Sequence, residues 1–403
     1  MKRISALFKG GDRLTSLAAS LVCVFIGLIF GFISLVILSF ISSGTGDVGK
    51  VLSNAYNYGF RQILSGGFYL RPIGVGQEIA AAAPLIMTGL SVGFAFKTGL
   101  FNIGAAGQYT LGAFGALLCA IVLGWPWWAC LLASAVFGAL WGAIPGIFKA
   151  LLNIHEVITS IMFNWIGLYA VNTIMYGGGT GVMYDSTKTK TWSLRSLYPE
   201  AVIPDFGMGA FFKNRSTTIA IFLAAIVAVI IYIVISKTTF GYELKACGYN
   251  RNSAKFAGIN EKKNIILSMV IAGALAGFGA GLYYLSGVAE WKPMESTALP
   301  AIGFNGIPVA LLASSNPIGI IFSAVFISHI TTGGSLMNSN YFPPEVADII
   351  SGIIIYLSAF SLLIRSLFKR RRMRSRLVGE ATDLPPDSDM PPGNELHGKE
   401  SEE

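Results

Sequence analysis

The chain has little charge for its length. Only 12% of its 403 residues are charged, against roughly 25% in soluble proteins, and 53% are hydrophobic. This composition excludes an ordinary soluble domain and indicates a protein that crosses a membrane many times. The net charge of +8 is not the pattern of a nucleic-acid-binding protein, because the basic residues border apolar runs, where they set orientation in the membrane.

Cysteine and histidine are also scarce. Cys23, Cys119 and Cys130 lie within or beside apolar runs and Cys247 lies in a polar loop, so no pair has the exposed, oxidising setting of a structural disulfide. We interpret all four as packing residues. The sequence HEVIT at 155–159 lacks the second histidine of a zinc hydrolase, and no third ligand is evident, so we predict no metal site and no intramembrane hydrolase.

A complete ATPase motif is missing from the sequence. Residues 44–51, GTGDVGKV, fit a phosphate-binding loop except at Val51, which replaces the magnesium-binding serine or threonine. The loop also requires a preceding strand, whereas a membrane span precedes it here. We therefore predict that this chain has no ATPase or other enzyme activity and no cofactor of its own.

The apolar runs predict an all-α polytopic membrane protein with about ten transmembrane segments, some of them short or broken. The first run is too long for a signal-peptide core of roughly 7 to 15 residues and should remain as an anchor. Glycines recur every fourth residue at 138, 142 and 146 and at 273, 277 and 281, a spacing that lets helices pack closely inside the bundle. The predicted segments are 17–41, 77–96, 101–123, 127–148, 156–176, 217–235, 264–285, two within 301–330, and 349–367.

Basic residues at both ends predict the orientation. The N-terminus, 1–16, and the cluster at 369–376 should both be cytoplasmic under the positive-inside rule. This holds only if 301–330 forms two short segments, broken at 314–317. The transmembrane domain is then 17–368, followed by a basic and then acidic tail, 369–403, which we predict to be disordered and cytoplasmic. On the other side we expect a surface helix at 51–71 and an external loop at 177–215, more a solvated connector than a partner-binding surface.

The cytoplasmic loop 237–263 contains the most informative segment, which we call the knuckle: residues 238–260, TTFGYELKACGYNRNSAKFAGIN. We predict two short helices, 242–247 and 251–257, the first ended by Gly248 in the left-handed conformation and the second started by Asn250 as its N-cap. Such a shape suits docking into a groove of another protein, with an ordinary loop as the alternative. The predicted exposed ridge consists of small residues: Ala246, Gly248, Ala254, Ala257 and Gly258.

The knuckle resembles the coupling loop of bacterial ABC importer permeases of the ribose and branched-chain amino acid family. Two further stretches, 89–108 and 155–167, resemble the nucleoside and simple-sugar subgroup, and the resemblance covers 79–363. The sequence departs from the family pattern at Cys247 and Ser253, with no consequence for any role. The matching residues of the knuckle are Thr238, Phe240, Gly241, Glu243, Leu244, Ala246, Gly248, Asn250, Ala254, Ala257, Gly258 and Ile259.

The resemblance implies a function and a set of partners. The chain would be a multi-pass permease subunit in the bacterial cytoplasmic membrane, importing a nucleoside or simple sugar handed over by an external binding protein. Cytoplasmic ATPase subunits would bind ATP and magnesium, and the second permease subunit would be a copy or, as the subgroup favours, a related chain. The implied ATPase-coupling residues are Gly241, Glu243, Leu244, Ala246, Gly248, Asn250, Ala254, Ala257 and Gly258.

Four polar residues within apolar segments are candidates for the substrate path. Asn102, Gln108 and Asn164 are amides that either line the path or bond helices together, and Glu156 either faces the path or stabilises a helix N-terminus. The alternative function is an ion-coupled secondary transporter, which would usually carry several mid-membrane acids. The sequence has few such acids, which favours the ATP-driven importer.

Overall fold

The structure is a computed structural model that describes residues 22, 24–41, 47–179, 181–342, 346, 349–350, 352–353 and 356–357. All of them belong to one compact unit, Ser20–Ser361. The predicted N-terminal segment, the last predicted span and the basic and acidic tail lie largely or wholly outside the described residues.

The described chain is built from long apolar helices. Seven are long and apolar enough to cross a membrane: α1 Val24–Ile41, α4 Ile73–Lys97, α6 Trp127–Leu152, α7 Glu156–Tyr176, α10 Ala220–Lys237, α13 Glu261–Tyr284 and α15 Pro317–Ser335. Two shorter apolar helices are α5 Ala105–Ile121 and α14 Ala301–Leu312. The remaining α-helices are α2 Val48–Ala55, α3 Arg61–Ser65, α8 Leu194–Leu197, α9 Met208–Phe211, α11 Thr239–Tyr249 and α12 Arg251–Phe256.

Helix α4 lies at the centre of the bundle. It packs against α10, α13, α14 and α15, and 78% of the residues in its most apolar stretch are buried. Its apolar residues therefore face other helices on nearly every side, which is the pattern of a helix inside a bundle. Both of its ends matter for function, because one adjoins the knuckle and the other adjoins the segment that contains α2 and α3.

The two glycine repeats pack against each other, a contact that the sequence analysis did not predict. A Cβ atom added to Gly142 of α6 would lie 2.5 Å from the carbonyl oxygen of Met269 and 3.0 Å from the Cα of Gly273 on α13. The backbones of α6 and α13 therefore touch, which only glycine permits. Only 33% of the most apolar stretch of α6 is buried, however. This helix is therefore packed along one face, and the prediction that it is enclosed in the bundle is wrong.

The predicted break within 301–330 is present. Helix α14 ends at Leu312 and α15 begins at Pro317, and Ser314 and Ser315 both have positive φ angles, of 50° and 54°. The Asn316 side chain caps α15 by accepting hydrogen bonds from the amides of the next turn. The chain therefore reverses direction between two apolar helices, the geometry on which the predicted orientation depends.

Two segments at the end of the bundle opposite the knuckle differ from expectation. The single surface helix expected at 51–71 is interrupted by a π-helical turn, Tyr56–Phe60, and ends in a 3₁₀ turn, Gly66–Leu70. The loop at 177–215 is packed and ordered. It contains a small antiparallel hairpin, Tyr184–Asp185 with Lys190–Thr191, which is held by backbone bonds to Trp291.

That loop also carries its own polar anchors. Lys190 pairs with Glu290, and Arg195 donates from its guanidinium to the carbonyl oxygens of Ser286, at 3.1 Å, and Arg215, at 2.8 Å. The bonds to Glu290 and Ser286 join the loop to the segment that follows α13. The loop therefore lies over the end of that helix. The loop is therefore a connector anchored to the bundle at several points, and most of its described residues remain at least partly exposed.

Candidate functional site

The knuckle consists of two helices joined by a single residue. Helix α11 starts after Thr238, whose hydroxyl accepts from the amide of Gly241 at 3.0 Å, and α12 starts after Asn250, whose side chain accepts from the amide of Ser253 at 3.0 Å. Asn260 caps α13 in the same way, accepting from the Lys263 amide at 3.1 Å. Three N-caps within 23 residues thus fix the path of the chain.

Gly248 does not end the first helix, contrary to prediction. It lies inside α11, which continues to Tyr249, and the left-handed residue of the knuckle is Gly258, with φ of +80°. A Cβ at Gly248 would lie 2.6 Å from the carbonyl carbon of Thr98 and 2.7 Å from the amide nitrogen of Gly99. The glycine is needed because the knuckle touches the backbone of the turn between α4 and α5, residues 98–104.

The knuckle has a buried side and an exposed side. Leu244 and Ala254 are buried. The prediction that Ala254 belongs to the exposed ridge is therefore wrong. Gly241 is also buried, and its Cα packs closely against Ile235 near the end of α10. These residues hold the knuckle against the bundle and leave its other side free to meet a partner.

The most exposed side chains of the knuckle are aromatic. Tyr249 is 90% exposed and Phe256 is 92% exposed, and Tyr242 is exposed as well. Exposed aromatic rings on a polar loop are typical anchors of protein interfaces. We missed them in the sequence, although four aromatic residues in a segment that is otherwise mostly small and polar are a visible signal.

The amide side chains of Asn102 and Gln108 bind each other. Asn102 donates to the Gln108 carbonyl at 2.8 Å, Gln108 donates back at 3.1 Å, and Asn102 also donates to the hydroxyl of Ser91 at 3.0 Å. Both residues are buried. The network joins α4, the 98–104 turn and α5.

Asn164 of α7 binds the same region. Its amide donates to the carbonyl oxygen of Ile103 at 3.1 Å and its carbonyl accepts from the backbone amide of Gly107 at 2.8 Å. The side chain is fully buried and both of its polar atoms have partners. The 98–104 turn therefore contacts the knuckle on one side and is tied to three membrane helices on the other.

Two of the three carboxylates in the described membrane helices are buried and paired, and the third, Glu261, is partly exposed at the start of α13. Glu156, at the start of α7, lies 2.8 Å from the ammonium of Lys149 near the end of α6. Glu78 of α4 accepts from the amide of Gly67 at 3.1 Å and lies 3.2 Å from a ring nitrogen of His329. Each buried carboxylate thus joins two segments of the bundle, as buried charges must when they are not solvated.

Comparison with known proteins agrees with this architecture. The chain is 36% identical over 306 residues to the nucleoside ABC transporter permease protein NupB of Lactococcus lactis, a match that covers 74% of this chain and 82% of NupB. It is 34% identical over 364 residues to the guanosine ABC transporter permease protein NupP of Bacillus subtilis, covering 88% and 96%. It is 29% identical over 344 residues to the glucose ABC transporter permease protein TsgB13 of Haloferax volcanii, covering 83% and 86%.

The family assignment follows from a match over most of the membrane domain. Residues 76–359 match the family described as branched-chain amino acid transport system / permease component. This range begins in α4, includes the knuckle, and extends beyond α15. The chain belongs to the branched-chain amino acid transport system / permease component family.

Proposed function

We propose that the chain is the permease subunit of an ATP-driven importer of nucleosides, with the knuckle as the surface that binds an ATPase subunit. The observation that carries the proposal is the knuckle itself, which presents Tyr249 and Phe256 to solvent while Gly248 rests on the 98–104 turn. Membership of a permease family and the names of NupB and NupP support the transported class.

The ATPase would receive the knuckle in a groove. Tyr249 and Phe256 supply apolar contact area, and Glu243, Lys245 and Arg251 supply polar contacts around them. Exposed ion pairs contribute only about 0 to 1 kcal/mol each, so the rings should dominate the affinity. Within the coupling set predicted from the sequence, Gly241, Leu244, Gly248 and Ala254 hold the knuckle to the bundle.

The solute would be uncharged and polar. An amino acid brings a carboxylate and an ammonium, and its path would need unpaired charges to receive them. Glu78 and Glu156, the buried carboxylates of the described membrane helices, are instead paired with His329 and Lys149. A nucleoside, with hydroxyl and amide groups and a flat ring, needs hydrogen bonds and apolar surface.

The buried amides would shape the path without touching the solute. Every polar atom of the Asn102 and Asn164 side chains, and the bonded atoms of Gln108, already faces protein partners. A solute that bound them would have to break these bonds. We therefore assign them the role of fixing α4, α5 and α7 around the turn.

The assembly would contain a second, related permease subunit, two ATPases and an external binding protein. The same organisms that have NupB and NupP also have the permease proteins NupC and NupQ, to which this chain is only 23% and 26% identical. This pairing favours two different permeases over two copies. Both termini would lie in the bacterial cytoplasm, which a reporter fused after residue 376 tests: an external signal there contradicts the proposed orientation.

Uptake measurements test the proposal directly. Cells or vesicles that contain the complete importer should take up labelled nucleosides in preference to ribose and leucine, and uptake should stop when ATP is removed. An ion-coupled transporter would instead follow an ion gradient and need no ATPase. Uptake of leucine but not of nucleosides would overturn the assigned solute, and ATP-independent uptake would overturn the assigned mechanism.

A further inference from the structure

A polar groove lies at the end of α4 opposite the knuckle. It has a volume of about 550 Å³ and is formed by α2, the π-helical turn, α3 and the segment after α15. Its lining includes Asn54, Tyr58, Arg61, Gln62, Tyr69 and Asn338. Amides, tyrosines and one arginine offer hydrogen bonds and aromatic faces without a carboxylate.

Gln62 is the buried member of this lining. It is only 3% exposed, and its side-chain nitrogen donates to the carbonyl oxygen of Asn57 at 2.8 Å. This bond fixes the orientation of the amide, because the reversed orientation would place two oxygens against each other. The side-chain oxygen has no hydrogen-bond partner in the part of the chain that the structure describes.

An orphaned buried acceptor is costly to a protein, and such groups are uncommon in folded structures. A donor from an occupant of the groove, directly or through one bridging water, would satisfy it. Asn57, whose carbonyl oxygen accepts the hydrogen bond from Gln62, belongs to the π-helical turn Tyr56–Phe60. Such turns occur frequently at functional sites, which is an independent indication that this wall of the groove has a role.

The chemistry of the remaining lining identifies the class of occupant. Tyr58 is held flat against Tyr341, with ring centroids 4.2 Å apart and an angle of 3° between the planes. Rigid aromatic faces stack well on bases, and arginine donates readily to the oxygen and nitrogen acceptors of a base. Among the described contacts, the side chains of Asn54 and Arg61 have no hydrogen-bond partner of their own.

We propose that this groove is a transient binding site for the nucleoside on the outer face of the permease, where Gln62 and Arg61 bind the solute beside Asn54 before it passes between the membrane helices. The proposal rests on the function assigned above and on the knuckle being cytoplasmic. It adds a site that the sequence did not indicate, at the end of the bundle where solute would arrive.

Protection of an engineered cysteine tests the site. In intact cells that contain the complete importer, Asn54→Cys should react with a membrane-impermeant maleimide, and guanosine should slow that reaction. When guanosine is present at about ten times its Kd for the groove, roughly a tenth of the sites remain free, so labelling should slow about tenfold. The control is Gln77→Cys, an exposed amide position on the same face outside the groove lining.

A second pair of variants tests the ligand contacts. In the Asn54→Cys background, Arg61→Met should raise the guanosine concentration needed for protection. Arg71→Met should not, because Arg71 lies outside the groove lining and stacks over the Phe68 ring at 4.5 Å. Equal shifts by both variants would mean that only the general positive charge matters, and would contradict the assigned contact.

The outcomes distinguish a failure of the proposed binding site from a failure of the proposed function. If cells import guanosine but labelling of Asn54→Cys is unaffected, the groove is not a solute site and the importer assignment stands. Protection by leucine in place of guanosine would overturn the class of occupant. If guanosine is neither imported nor protective, both the function and the site are wrong.

Discussion

Replacement of Gly248 by alanine should separate ATPase binding from transport. Gly248 is itself exposed, but a Cβ on it would point at the backbone of the turn between α4 and α5; Tyr249 and Phe256 are almost fully exposed. A single methyl group at Gly248 therefore acts on the contact inside the permease. It leaves the aromatic rings that would meet the ATPase unchanged.

The size of the effect follows from the contact distances. The new Cβ would lie 2.6 Å from the carbonyl carbon of Thr98, about 1 Å short of an ordinary carbon–carbon contact. Overpacking of this kind costs about 1 to 3 kcal/mol, and alanine recovers roughly 1 kcal/mol over glycine in a helix. The remaining strain is therefore about 0 to 2 kcal/mol, which changes an equilibrium by up to about thirtyfold. Gly248→Trp adds far more bulk and should abolish transport.

Three measurements on the same membranes distinguish the steps: co-purification of the ATPase, ATP hydrolysis, and nucleoside uptake. For Gly248→Ala we expect the ATPase to remain bound and to hydrolyse ATP while uptake falls by up to about thirtyfold, in proportion to the strain. Asn252→Ala, an exposed position on α12, is the matched control and should behave as wild type.

The result that would refute this reasoning is normal uptake by both Gly248→Ala and Gly248→Trp. In that case the contact between the knuckle and the 98–104 turn does not transmit movement. Loss of the ATPase from the alanine variant would be a different contradiction, since it would place Gly248 in the interface with the partner.

The double variant Tyr249→Ala, Phe256→Ala should insert normally and lose ATPase co-purification, because both rings are exposed and neither supports the fold; retained ATPase would exclude them as anchors. Asn164→Leu should lower the thermal stability of the purified subunit by about 1 to 3 kcal/mol for each backbone group it leaves unpaired, and unchanged stability would mean that the bonds to Ile103 and Gly107 are not formed. Glu78→Ala should destabilise the subunit by about 1 to 3 kcal/mol, since it leaves the buried amide of Gly67 without its acceptor and the half-buried His329 without its carboxylate; the measurement is again the unfolding midpoint, and Glu78→Ala with wild-type stability contradicts the pairing.

Periodicity and charge predicted the membrane helices well. The bounds of α7 agree with the predicted segment, and the reversal at 314–317 follows from the positive-inside rule before any coordinates are considered. These features are local: apolar runs, caps and charge clusters are visible in a few consecutive residues. Glycine spacing likewise indicated that α6 and α13 would approach other helices closely, although it did not reveal that they touch each other or how much of α6 would remain exposed.

Features that depend on long-range contacts were beyond the reach of the sequence. Gly248 looked like a helix end because glycine commonly takes the left-handed conformation there. The competing requirement, close approach to the backbone of Gly99, comes from a residue nearly 150 positions away. The loop at 177–215 looked solvated for a similar reason, since its bonds to Ser286, Glu290 and Trp291 are made by residues distant in the chain.

The polar residues of the membrane domain show why a substrate path is hard to predict from residue type. Asn102, Gln108 and Asn164 have the chemistry to bind a nucleoside, yet their bonds are made to the 98–104 turn and its neighbouring helices. An amide in an apolar segment must be satisfied by some partner, and helices of the same subunit are always present whereas solute is not. Unpartnered polar atoms are the better indicator of a solute site, and the side-chain oxygen of Gln62 in the polar groove is such an atom.

The position of the 98–104 turn explains how force from a cytoplasmic partner would reach the membrane helices. The knuckle rests on Thr98 and Gly99, and a few residues further on Asn102 and Ile103 are bonded to α4, α5 and α7. A movement of the knuckle that keeps its contact must shift this turn, and the turn cannot shift alone without breaking buried hydrogen bonds, each of which is costly when left unsatisfied. The less costly response is for the ends of α4, α5 and α7 to move together. Because the far end of α4 adjoins the polar groove, the same helix connects the ATPase-facing surface with the place where we expect solute to bind.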